Sequence, residues 1–125
     1  MRLQQTRIVT ADVIALARFY EQVTSLEADG SEDYIEFRGP GNKLAICSER
    51  AMRMHWAGVG RARDNQSVIL DFEVDDVDAE RGRLAPVVGR FVLEPTTQPW
   101  GTRVAMFRDP DGNLVNLITA RDGTD

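Results

Sequence analysis

Phe37 to Leu44 reads FRGPGNKL and Phe107 to Leu114 reads FRDPDGNL, so four of eight positions coincide at an offset of 70. Upstream, Asp12-Val13 and Asp76-Val77 each open a helical pattern, at an offset of 64. Self-similarity at one period is the mark of a supersecondary unit written twice, here of roughly 60 to 65 residues. A duplicated fold with its function at the seam is the first expectation, and 125 residues suit one such domain, 1–125.

The order of elements supports the repeat. Residues 3 to 10 alternate weakly and read as a strand. Asp12 then caps a helix that carries Val13, Leu16, Ala17, Tyr20 and Val23 at three-to-four spacing. A weaker strand is expected around Leu26 to Asp29, then a hairpin of Tyr34–Phe37 and Lys43–Ser48 about the turn GPGN. In the second module Val68, Leu70, Phe72 and Val74 alternate with Ile69, Asp71 and Glu73, so one face packs and the other carries acid. A helix through Leu84 follows, then strands at Phe91–Glu94, Arg103–Phe107 and Asn113–Thr119, the last two joined by RDPDGN. Module one spans about 1–50, module two about 67–120, and each runs β-α-β-β-β. Residues 48 to 66 form a connector without clean period, holding ambiguous helix that covers something.

Composition excludes several function classes. The net charge is −5, the pI is near 4.9 and Lys43 is the only lysine, so nucleic acid and anionic membrane surfaces are poor partners. No apolar run reaches the ~20 residues that span a bilayer, and the N-terminus lacks a signal-peptide layout, which favours the cytoplasm. Cys47, the one cysteine, sits in LAICS and reads as a small core residue. Asp109, Asp111 and Asn113 resemble the start of a calcium loop but lack its later Gly and Glu, so a β-turn explains them better. GVGRAR, residues 58 to 63, is only a fragment of a phosphate loop.

The helix entry at residues 12 to 28, the junction VILDFEVDDVDAE and the closing PWGTRVAMFRDPDGNLVNLI resemble the vicinal oxygen chelate superfamily. That superfamily groups glyoxalase I, bleomycin-resistance proteins, extradiol dioxygenases and fosfomycin-resistance enzymes. The resemblance implies an α+β fold in which two βαβββ modules form a curved mixed sheet around a cavity, helices outside, and a homodimer. Members with metal chemistry ligate the cation from the first and last strands of each module. Matched through the two repeats, those positions fall on Gln5, Ile46, Ile69 and Asn116. Two neutral amides beside two alkyl groups underligate a divalent ion, so neither a metal nor another cofactor is expected.

If Gln5 and Ile69 face the cavity, Arg7, Asp71 and Glu73 do too, with Arg7 and Asp71 as symmetry mates able to form a bidentate pair. That pair reads as a structural salt bridge ahead of a ligand anchor. Met52, Met54, His55 and Trp56 form a soft connector surface that suits varied apolar ligands as well as it suits packing. Trp100 with Arg103 is favoured as a rim for a planar or anionic ligand. The function expected is metal-free sequestration of a small aromatic or amphipathic molecule, resembling the bleomycin-resistance branch. Ile46, Ile69, Leu44 and Leu114 would supply the apolar wall, Gln5, Arg7, Asp71 and Asn116 the polar contacts, Trp56 or Trp100 the aromatic one. Enzymes of the same fold are the competing class: a metal-dependent dioxygenase, glyoxalase-like lyase or isomerase, or a metal-independent enzyme with Asp71 or Glu73 as base.

Overall fold

An aspartate starts each long helix. In the computed structural model, which describes residues 1–56 and 59–119, the Asp12 carboxylate accepts from the Ala15 N–H at 3.1 Å and Asp76 from Ala79 at 3.0 Å. Both caps are in extended backbone and satisfy one of the donors that a helix start leaves unpaired. The elements, in chain order, are β1 (Gln5–Thr10), α1 (Val13–Thr24), β2 (Ala28–Gly30), β3 (Tyr34–Phe37), β4 (Lys43–Ser48) and α2 (Glu49–Trp56). There follow β5 (Ile69–Val74), α3 (Val77–Val88), β6 (Leu93–Thr97), β7 (Arg103–Arg108) and β8 (Leu114–Thr119). They fall into two compact units, Met1–Asp64 and Asn65–Asp125.

In the first unit the sheet order is β1-β4-β3-β2, with β1 parallel to β4 and the others antiparallel. The apolar stripe of α1, Val13, Leu16, Ala17, Tyr20 and Val23, is buried as its spacing predicts. Ile35, Phe37, Leu44 and Ile46 share one sheet face and are buried, and Tyr20 meets Phe37 edge to face at 6.5 Å. That face and α1 make the core. Gly30 closes the tight β2–β3 turn, where the Ser31 N–H donates to the Tyr34 carbonyl; a Cβ on Gly30 would lie 2.1 Å from that oxygen, and φ is +146°.

The second unit repeats the plan, with order β5-β8-β7-β6 and β5 parallel to β8. Its core joins Val77 and Leu84 of α3 to Ala105, Phe107, Val115 and Leu117, and Phe91 stacks edge-on against Phe107 at 5.4 Å. The β7–β8 turn is held by Asp109, whose carboxylate accepts from the N–H groups of Asp111 and Asn113 and from the Asn113 side chain. Those bonds make it a structural turn.

Several boundaries differ from the sequence expectation. β1 starts at Gln5, β2 lies at Ala28–Gly30, β6 lies at Leu93–Thr97 rather than Phe91–Glu94, and α3 continues past Leu84 to Val88 with Pro86 inside it, while β5, β7 and β8 shift by one residue at one end. Phe91 precedes its strand because its ring is taken into the core. Pro86 is tolerated near the helix end, where only the bond to the Gly82 carbonyl is forfeited. The connector begins with a true helix, α2, and Gly58 of the glycine-rich fragment lies outside the described residues.

Candidate functional site

Each sheet has one face against its long helix and one face turned away, and strand register decides which residues stand on the latter. In the first unit, Gln5 pairs with Lys43, Arg7 with Ala45 and Val9 with Cys47, while Cys47 also pairs with Tyr34 and Ala45 with Glu36. These eight residues share the face turned away from α1. Gln5 and Arg7 stand on one face, as period two requires.

Ile46 does not stand with them. It pairs with Ile8 and Ile35, on the α1 side, and is fully buried. The reason is a single residue. Phe37 pairs with Leu44, whereas Phe107 pairs with Val115, so the second turn is one residue longer and β4 corresponds to β8 at an offset of 71. The identical leucines 44 and 114 are therefore not structural equivalents. The partner of Asn116 in the first unit is Ala45, and the face residue expected at Ile46 is a methyl group.

Most polar groups on the first face are already engaged with one another. Lys43 Nζ lies 2.8 Å from Glu36 Oε2, and that ammonium holds the Glu36 carboxyl below its ordinary value. The Gln5 amide and the Tyr34 hydroxyl meet at 3.4 Å. The Arg7 guanidinium lies 4.8 Å over the Trp56 ring, an attraction of cation to π face that brings α2 over this side of the sheet. Gly60 packs there too, since an added Cβ would meet Met52 Cε at 2.9 Å and Val9 Cγ2 at 3.2 Å. Cys47 is buried, and burial pushes its thiol up, against the influence of Arg7, so it is a poor nucleophile. His55 is exposed and touches Trp56 edge-on.

On the second sheet, Ile69 pairs with Leu114, Asp71 with Asn116 and Glu73 with Ile118, while Asn116 also pairs with Met106 and Ile118 with Val104. This face mixes apolar side chains with acid, as the alternation of VILDFEV predicts. Asn116 Nδ2 donates to Asp71 Oδ1 at 2.8 Å. Asn116 is only 5% exposed, and its Oδ1 has no hydrogen-bond partner. Ile69 is 43% exposed. Arg7 and Asp71, expected to pair with each other, each find a partner within their own unit.

Arg103 is a second correction. It pairs with Thr97 and shares its face with Ala105 and Phe107, toward α3, where Nε and a terminal nitrogen grip the Asp78 carboxylate at 2.6 and 2.9 Å. Its third contact goes to the Thr97 hydroxyl. This guanidinium clamps helix to strand and cannot form a rim with Trp100, which is 63% exposed in the Gln98–Gly101 turn. Tyr34, Met106 and Ile118 went unassigned from sequence. Period two would have found them once the hairpin register was known.

A surface depression of about 370 Å3 lies in the first unit between the α1 N-terminus and the group Asp33, Ser48 and Arg50. Within it Asp33 accepts from Ser48 Oγ and from Arg50. Among the described residues no three His, Cys, Asp or Glu side chains group as a metal site, and no helix is long and apolar enough to cross a membrane. The first- and last-strand positions, corrected for register, hold Gln5, Ala45, Ile69 and Asn116. Two of these have no donor atom, and the Gln5 amide is bound to Tyr34, so the set does not fit a resident divalent ion.

A sequence model of the Glyoxalase/Bleomycin resistance protein/Dioxygenase superfamily matches residues 2–117. The chain is 27% identical over 124 residues to the uncharacterized protein YraH of Bacillus subtilis (strain 168), covering 94% of this chain and 97% of that one. A glyoxalase/bleomycin resistance protein/dioxygenase family enzyme from Burkholderia phytofirmans PsJN superposes with a TM-score of 0.82 at 20% identity, covering 95% and 98% of the two chains. A glyoxalase/bleomycin resistance protein/dioxygenase from Nocardioides gives 0.80 at 21% identity, covering 98% and 85%. A lactoylglutathione lyase from Agrobacterium tumefaciens gives 0.74 at 20% identity, covering 95% and 93%. At these identities the solved structures share the fold.

Proposed function

Because the chain belongs to the glyoxalase/bleomycin resistance protein/dioxygenase superfamily, we propose that it is a metal-independent binder of a small aromatic or amphipathic molecule. The ligand is held against the helix-free face of the second sheet and kept from other encounters. One observation carries the reading. That face presents Ile69, Met106 and Ile118 beside Asp71 and a buried Asn116 with an oxygen left over, while the strand positions that metal-dependent relatives use hold alkyl groups in both units. An apolar surface with few, convergent polar atoms is the ordinary makeup of a small-molecule site. The family fold raises the prior for enzymatic chemistry without supplying its residues.

The test is metal content of untagged protein by mass spectrometry, followed by calorimetric titration of Ni, Zn, Mn and Fe(II) and an aromatic fragment screen. Metal-free protein that binds fragments at Ile69, Met106 and Ile118 supports sequestration. One tightly held ion per chain overturns it and makes a metal-dependent lyase, isomerase or dioxygenase the better reading.

A further inference from the structure

Asp33, Glu36, Asp78 and Glu94 each sit against an Arg or Lys at ion-pair distance. Asp71 and Glu73, two residues apart on the helix-free side of β5, are ion-paired to no cation among the described residues, and both are exposed. Arg108, whose β7 register puts it on the same side, donates to the Gly112 carbonyl. Exposed carboxylates alone mark nothing. Asn116 is the independent observation.

A carboxylate only accepts, so the bond between Asn116 and Asp71 must use the amide nitrogen, and this fixes which atom is the oxygen. Asn116 Oδ1 is thus an acceptor, buried, unpartnered and beside Asp71. Buried acceptors of this kind are nearly always satisfied, and what satisfies this one has to bring a hydrogen. Asp71 Oδ2 and the Glu73 carboxylate are acceptors as well. Asp71 Oδ2, the Glu73 carboxylate and Asn116 Oδ1 therefore stand together as acceptors, and the Asn116 amide has given one of its two N–H groups to Asp71.

We infer that the helix-free face of the second sheet receives a cationic head group that donates several hydrogen bonds, an ammonium, amidinium or guanidinium, carried on an apolar or aromatic body. This deepens the binding function proposed above and rests on it. The head group donates to Asn116 Oδ1 and Asp71 Oδ2 together, and charge-assisted bonds of this type are stronger than neutral ones. The body lies on Ile69, Met106 and Ile118, which register places around the amide. An anionic head group beside Asn116 would meet the like charges of Asp71 and Glu73. A net charge of −5 acts in the same sense at long range.

The experiment uses the full chain, 15N-labelled, titrated with three probes of one shape: benzamidine as the cation, benzyl alcohol as the neutral and benzoate as the anion. Benzamidine is expected to shift the Asn116 side-chain amide and the Ile69, Met106 and Ile118 resonances saturably, with benzoate silent. Asp71→Asn, a change at an exposed site that preserves shape, weakens benzamidine by about tenfold or more. Asn116→Leu, with its melting temperature as the check on folding, removes the response. Equal binding of benzyl alcohol and benzamidine, indifferent to Asp71→Asn, overturns the cationic head group and leaves the binding function standing. If no probe moves any resonance of this face, a water satisfies Asn116 and both proposals fall.

Discussion

Asn116 occupies a position whose neighbours along β8, Val115 and Leu117, are buried apolar residues. Leaving a buried amide oxygen unpaired destabilises a fold by about 1–3 kcal/mol, whereas an apolar group of similar shape is nearly neutral or better. Its hydrogen bond to the exposed Asp71 offsets little, since Asp71 can exchange that donor for water. Asn116→Leu is therefore expected to melt at or above the wild-type temperature in calorimetry, while losing ligand response. A melting point lowered by more than about 5 °C, roughly 1 kcal/mol or more in a domain of this size, would instead make Asn116 a structural residue. The residue scale is also where sequence reading succeeded and failed within a few positions. Alternation alone puts Asp71 on the face away from α3. For Ile46 alternation fails, because the repeat aligns Leu44 with Leu114, and one extra residue in a turn inverts the faces of the strand that follows.

Helix α3 shows how an element with a weak apolar stripe stays in place. Only Val77 and Leu84 of its twelve residues are buried, and Pro86 removes a backbone bond near its end. Polar clamps complete the attachment: Arg103 of β7 on Asp78 in the first turn, and Arg81 on Glu94 of β6 at 2.9 and 3.1 Å, with the Arg81 guanidinium 4.8 Å over Phe91. Hydrogen bonding from Arg103 holds the Asp78 carboxyl below its ordinary 3.8. A depressed carboxyl stabilises the fold fully above its unfolded value, and that contribution disappears as pH falls through the lower folded value. Wild type should therefore lose stability relative to Asp78→Asn as pH drops from 5 toward 2, roughly the interval below an unperturbed carboxyl. Urea midpoints measured across that interval check it. A constant difference between the two proteins would show that the clamp carries no charge linkage. Element type and order are legible from caps and periodicity, but α3's length is not, since its end past Leu84 carries no apolar stripe and holds Pro86, tolerated there because only one backbone bond is lost.

Across the whole molecule, one βαβββ plan written twice carries two different surfaces. The repeated turns and the paired aspartate caps disclose the plan, because backbone requirements are met by few residue types. The division of labour was not legible, since it depends on which side chains find partners. In the first unit Lys43 takes Glu36, Gln5 takes Tyr34, and Arg7 takes Trp56 as α2 comes over Val9. In the second, Asp71, Glu73 and the Asn116 oxygen keep unspent bonding capacity. The duplicated halves should therefore respond unequally to ligand. Tyr34→Phe, which breaks the Gln5 contact, is expected to leave benzamidine affinity within about twofold, because that half-buried, 3.4 Å neutral hydrogen bond belongs to the first sheet and contributes little. Asp71→Asn should weaken it by about tenfold. Parallel titrations of the two variants read this directly, and a Tyr34→Phe loss as large as that of Asp71→Asn would show that the first sheet shares the site.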